Sequence, residues 1–127
     1  NILVNLLVTK PELLEYKGNE TLLYLAIYNI VENAIRYSSD NSIHINLLEE
    51  DGILHIQVID SGKGISELDL TKITETFYRG NNVDNVKGSG IGLSLSKSIF
   101  DHHQIIMNIY SVVNKGTTVD IAFSRKI

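Results

Sequence analysis

The sequence predicts an α/β domain built from two amphipathic helices and antiparallel strands with one buried face. Three observations predict it. A long stretch near the N-terminus carries apolar residues at helical spacing, two alternating segments flank an Asp-Gly turn, and a glycine-rich run feeds a second helix with more alternation behind it.

The first helix spans residues 21–38. Leu23, Ile27, Ile30 and Ala34 make its core stripe, and Asn29, Asn33 and Arg36/Tyr37 make a second, polar stripe about a quarter turn away. Asn is a mediocre helix former, and its amide needs partners where it is covered. Taken alone, the polar stripe is either solvated and locally bonded or turned toward a ligand. Asn19 is a ready N-cap. Ahead of it, residues 1–8 are apolar and β-permissive, fitting either a short strand or the end of an upstream element. Pro11 breaks that run, and residues 12–18 read as a turn-like connection. Residues 1–20 are therefore expected to be a linker or short N-terminal segment, with the domain proper at 21–127.

In residues 42–49, Ile43, Ile45 and Leu47 share one face. In residues 53–59, Leu54, Ile56 and Val58 do the same, and Asp51-Gly52 between them signals a hairpin. His44 and His55 fall on the outward face and read as plain surface residues. Asp60 shares the parity of Leu54, Ile56 and Val58, and a carboxylate there is costly unless it is bonded or lines a pocket. Gly62 and Gly64 follow at once, allowing a tight turn and close approach to a ligand. Residues 66–73 read as a short helix capped by Ser66, and residues 76–87 as a mobile loop. Gly88, Gly90 and Gly92 then open a helix over 91–103. A glycine-rich loop at a helix N-terminus suits an anion. His102 and His103 end that helix. Residues 105–123 read as two strands around Asn114-Lys115-Gly116, with Val119, Ile121 and Phe123 inward.

Composition removes several function classes. The 127 residues suit one compact domain. With no cysteine there is no disulfide, thiolate metal site or thiol nucleophile. The net charge of −4, without a basic cluster, argues against a nucleic-acid partner. No apolar run is long enough to span a bilayer. Lacking an initiator Met and a signal peptide, the chain is expected to begin inside a longer protein. The glycine spacing does not supply a P-loop. It also comes too late in the chain, after antiparallel strands, for a dinucleotide fold, and the eukaryotic-type kinase motifs are missing.

The ordered motifs carry a resemblance. Residues 29–38 (NIVENAIRYS) match an N box, 60–64 (DSGKG) a G1 box, 77–80 (FYRG) an F box, 88–93 (GSGIGL) a G2 box, and 115–118 (KGTT) a closing Gly-Thr element. In these the chain resembles the catalytic, ATP-binding domain of sensor histidine kinases, within the superfamily of gyrase, Hsp90 and MutL. The resemblance runs over residues 21–123. It implies a two-layer α/β sandwich of the Bergerat type, with a mixed, mostly antiparallel sheet packed against helices and ATP bound beneath a flexible lid. It implies that Asn33 offers its amide oxygen to Mg²⁺, with Asn29 as second ligand or phosphate contact. Arg36 meets phosphate, and Tyr37 packs on adenine. Asp60 accepts a hydrogen bond from the adenine amine, supported by Thr117, usually through water. Gly62 and Gly64 keep Cβ atoms out of the base pocket, and Gly88, Gly90 and Gly92 wrap the phosphates. Ile65, Ile91 and Leu93 complete the nucleotide-binding set, and Arg79 and Lys87 add charge near the phosphates.

At position 29 the hydrolytic branches of the superfamily resemble one another in carrying a glutamate, whereas here an asparagine stands. Asn29 cannot act as a general base, so slow hydrolysis is expected. Glu32, beside Asn33, either assists as base or forms an i,i+4 pair with Arg36. The resemblance thus implies phosphoryl transfer from ATP to a histidine on a dimerisation domain, then to a response-regulator aspartate. None of the four histidines has the acceptor's setting, so the acceptor is expected upstream. The fragment is expected to be monomeric and cytoplasmic, and the full-length protein a membrane-associated homodimer. The competing reading is a degenerate, non-catalytic nucleotide sensor or interaction module of the same fold. One departure concerns the turn after the second helix, where the family tends to have glycines and this chain has Gln104-Ile105-Ile106.

Overall fold

The structure, a computed structural model, describes residues 2–40, 42–64 and 92–124. Its strands are β1 (Ile2–Leu7), β2 (Ile43–Glu50), β3 (Ile53–Asp60), β4 (Ile106–Val112) and β5 (Gly116–Phe123), and its helices α1 (Glu20–Tyr37) and α2 (Gly92–His102). A 3-10 turn, Pro11–Leu14, precedes α1. The sheet runs β1-β2-β3-β5-β4, with β1 parallel to β2 and every other pair antiparallel. Helices on one face of this mixed sheet make the expected two-layer sandwich. Residues 66–73 and 76–87, expected as helix and loop, lie outside the described residues.

Residues 2–14 do more than link. Ile2 to Leu7 lie in register with Ile43 to Leu48, and Leu13 is buried in the core. The N-cap holds, since Asn19 Oδ1 accepts from the Leu22 N–H at 3.0 Å. The core stripe of α1 centres on Ala26, Ile30 and Ala34, while Leu23 and Ile27 pack at its margin. Ala26 allows close approach of α2, whose Ser96 hydroxyl donates to the Ala26 carbonyl at 2.8 Å. Ile43, Leu54, Val58, Val119, Ile121 and Phe123 supply the sheet side of the core, and Ile99 and the fully buried Phe100 supply the α2 side. The Asp51-Gly52 hairpin forms as expected, with both turn residues at positive φ (54° and 77°).

Helix α2 ends in a Schellman motif. The Ile105 N–H donates to Phe100 O at 2.8 Å and the Gln104 N–H to Asp101 O at 3.0 Å. This motif needs a left-handed residue, and Gln104 takes it at φ 59°. The turn is the usual one, made by a residue that is disfavoured there.

One histidine expectation is corrected and another is extended. His55 is not a plain surface residue: its side chain is 15% exposed, and its Nδ1 donates to Asp120 at 3.1 Å. Asp120 itself is buried and also accepts from Gln57 Nε2 at 3.3 Å. His103 does more than end a helix. Its Nε2 accepts from the Asn19 N–H at 3.0 Å while its Nδ1 donates to Ile99 O at 2.9 Å, so it ties α2 to the start of α1.

Candidate functional site

Asp60 is the last residue of β3, on the core side of the sheet, opposite Thr117 in register. Its Oδ1 accepts from the Gly62 N–H at 2.8 Å. Burial pushes its carboxyl above the usual carboxylate range, while backbone donors at Gly62 and Thr117 pull the other way. Beside it the Thr117 and Ser111 hydroxyls lie 2.8 Å apart, and Ser111 also donates to Gly116 O at 2.9 Å.

The loop after Asp60 is held from both sides. The Ser39 hydroxyl, just past α1, donates to Ser61 O at 2.8 Å, and the Asn114 N–H donates to Lys63 O at 2.6 Å. A Cβ on Gly62 would run into the Tyr37 carbonyl, and one on Gly64, at φ 73°, into the Val112 carbonyl. Both glycines are therefore required by chain packing on chain, a reason independent of the expected clearance of a base pocket. Through these contacts the end of α1 meets Asp60, Gly62 and Thr117 at one end of the sheet.

Asn29, Asn33 and Tyr37 lie half-buried along α1. Arg36 and Glu32 are more open, and they form the i,i+4 pair: Arg36 Nη2 donates to Glu32 Oε1 at 3.2 Å. Tyr28 donates to the other carboxylate oxygen, Oε2, also at 3.2 Å. Leu93 is a core residue. Ile65, Arg79, Lys87, Gly88, Gly90 and Ile91 lie outside the described residues, and Gly92 begins α2. Sequence reasoning missed Ser111, Ser39 and Tyr28. A serine sharing the inward parity of Ile109 at the end of β4, and a tyrosine four residues before Glu32, were the signals available.

Among the described residues no group of three or more His, Asp or Glu side chains is placed to hold a metal. A cation here would need ligands of another kind. A lone amide oxygen such as Asn33's, completed by ligand phosphates and water, fits the coordination Mg²⁺ prefers. No helix among the described residues is long and apolar enough to cross a membrane.

An α/β sandwich with the end of its long helix packed beside a strand-end aspartate has the fold of the kinase and ATPase class of ATP-binding domains. The chain belongs to the histidine kinase-, DNA gyrase B- and HSP90-like ATPase family, whose model matches residues 18–127. Heme sensor protein HssS of Staphylococcus saprophyticus is 32% identical over 121 residues, covering 94% of this chain and 26% of that protein. The chain thus spans about a quarter of the length of such curated relatives. Among solved structures, the mycobacterial sensor histidine kinase MprB superposes with a TM-score of 0.80 at 22% identity, over 95% of this chain and 80% of that one. Full-length ShkA in complex with AMPPNP superposes with a TM-score of 0.72 at 18% identity, over 95% and 25%. The fold is that of histidine kinase catalytic domains, and the chain is an ATP-binding domain of that kind.

Proposed function

We propose that this domain binds ATP with Mg²⁺ and passes the γ-phosphoryl group to a histidine on a separate dimerisation domain, for relay to a response-regulator aspartate. The observation that carries the reading is Asp60. It is a half-buried carboxylate with backbone donors, placed where the end of α1 meets the sheet. An ionised carboxylate only accepts hydrogen bonds, so it selects the exocyclic amine of adenine over the carbonyl of guanine. Asn33 holds Mg²⁺ through its amide oxygen, with Asn29 one turn earlier as second contact. Bound there, Mg²⁺ neutralises phosphate charge and orients the γ-phosphoryl group.

The chain's own groups then position the reactants. Arg36, Arg79 and Lys87 meet phosphate oxygens, Tyr37 and Ile65 pack on the base, and the glycines at 88, 90 and 92, with Ile91, close around the phosphates. Asn at position 29 leaves no base for water, which favours transfer over hydrolysis. Glu32 takes the proton from the acceptor imidazole. The domain works in the cytoplasm as part of a membrane-associated homodimer. The complex of full-length ShkA with AMPPNP supports nucleotide binding by this fold.

The test is to mix the domain with acceptor helices and ATP labelled at the γ position. Label on histidine is the expected result. Tight ATP binding without transfer to any acceptor would overturn the kinase reading in favour of a non-catalytic nucleotide module.

A further inference from the structure

Asp60, Thr117 and Ser111 form one cross-strand row at the site end of the sheet. Asp60 faces Thr117 in register, and Thr117 faces Ser111, so all three side chains share the core side. Thr117 is the middle member, and its hydroxyl can serve either neighbour or a ligand beside them. Ser111 lies outside every motif of the resemblance.

The proton positions along this row follow from counting donors. A serine hydroxyl has one proton, and a carbonyl only accepts. Ser111 Oγ lies 2.9 Å from Gly116 O and 2.8 Å from Thr117 Oγ1. Both contacts are hydrogen bonds only if Ser111 gives its proton to Gly116 O and Thr117 gives its own to Ser111 Oγ. The reverse arrangement forfeits the bond to Gly116 O. Among the described residues, the donors acting on the Asp60 carboxyl are the Gly62 and Thr117 backbone N–H groups, and the Thr117 hydroxyl is not one of them. Thr117 therefore directs its proton away from Asp60. It keeps only lone pairs for whatever arrives beside that carboxylate, which itself only accepts.

Two acceptors side by side call for a group that donates. An exocyclic amine supplies that, directly or through a water that donates to Thr117. An oxo group in the same place would meet lone pairs from both residues, unless the Thr117 hydroxyl turned round and gave up its bond to Ser111.

We propose that Ser111 is a positioning residue for base specificity: by accepting the Thr117 proton it keeps Thr117 an acceptor beside Asp60, so the site takes a base bearing an amine and rejects one bearing an oxo group. This rests on the reading of Asp60 as the adenine contact. Ser111 acts only through the orientation of the Thr117 hydroxyl. Without it, that hydroxyl is free to turn and donate to an oxo oxygen.

The experiment measures Kd for ADP and for inosine diphosphate by calorimetry on the intact protein. The two differ only at the base edge, where inosine has an oxo group in place of the amine, and neither has a γ-phosphoryl group to transfer. The ratio of the two constants is read for the parent, Ser111→Ala, Ser111→Thr, Thr117→Val and the Ser111→Ala/Thr117→Val double variant. Both ligands meet the same preparation, so a smaller folded fraction cancels in the ratio. The parent should prefer ADP. Ser111→Ala should narrow that preference by about fivefold, the weight of one hydrogen bond, chiefly through tighter binding of inosine diphosphate. Ser111→Thr keeps a hydroxyl and should keep the parent ratio. Thr117→Val leaves no hydroxyl to orient, so adding Ser111→Ala to it should not move the ratio further. A parent-like ratio in Ser111→Ala, or a narrowing that persists in full in the Thr117→Val background, overturns the role of Ser111 and leaves the adenine contact at Asp60 standing. A parent that binds both diphosphates equally overturns that contact, and the proposal with it.

Discussion

Asp120 and Asp60 lie on paired strands of one sheet, on opposite faces, and they are held by different kinds of donor. Asp120 is the more buried, only 7% exposed, yet His55 and Gln57 side chains both donate to it. Asp60 is more open, takes backbone donors, and has its carboxyl pushed upward by burial. An acid completed by neighbouring side chains is finished by folding. An acid with main-chain donors at the end of a strand keeps capacity for something that arrives later. The more buried acid is thus the structural one, and the half-buried acid is the one we propose serves a ligand.

The largest effect expected is at Asp60. Asp60→Asn should weaken ATP binding on the order of 100-fold, since a charged acceptor facing the adenine amine is lost. Its melting temperature at neutral pH should be no lower than the parent's. The pH dependence has a definite sign. A carboxyl whose folded pKa is raised contributes stability that is fully present below its unfolded pKa of about 3.9 and is lost as pH rises through the folded value. The variant lacks that loss, so its stability relative to the parent should grow between pH 4 and pH 7 in urea unfolding. A variant that melts earlier at neutral pH would put Asp60 in the same class as Asp120 and break the contrast.

Asp120→Asn should show the reverse pattern. It leaves the His55 and Gln57 donors without their charged acceptor, which costs about 1–3 kcal/mol in chemical denaturation, while nucleotide affinity measured by calorimetry stays at the parent value. Away from both acids, Gln104→Gly gives the yardstick. Relieving the left-handed strain should stabilise the fold by about 0.5–1 kcal/mol, and a loss instead would mean that the Gln104 side chain contributes more than its backbone costs.

How much of this was legible in the sequence depended on range. The hairpin at Asp51-Gly52, the cap at Asn19 and the inward sets of β2, β3 and β5 are local patterns, and they were readable. Helix α1 was placed within one residue at each end. Asp60 stood out because its parity put an acid among Leu54, Ile56 and Val58. What stayed hidden was set by distant partners. The parallel pairing of Ile2–Leu7 with β2 joins segments some forty residues apart, and no nearby turn announces it. His55 read as exposed because alternation gives a face but not the Asp120 that lies across the strand on it. Leu93 is placed by the resemblance in the nucleotide-binding set, and that it is also buried depends on how α2 seats in the core.

Strand β1 carries a consequence of its own. It sits at the margin of the sheet, and Ile2, Leu3, Val4, Leu6 and Leu7 are each 52–62% exposed. Its six residues include neither a charge nor a proline, the features that usually guard such a border against pairing with another molecule. In concentrated solution this seam, rather than the nucleotide site, is where one copy of the domain would begin to adhere to the next.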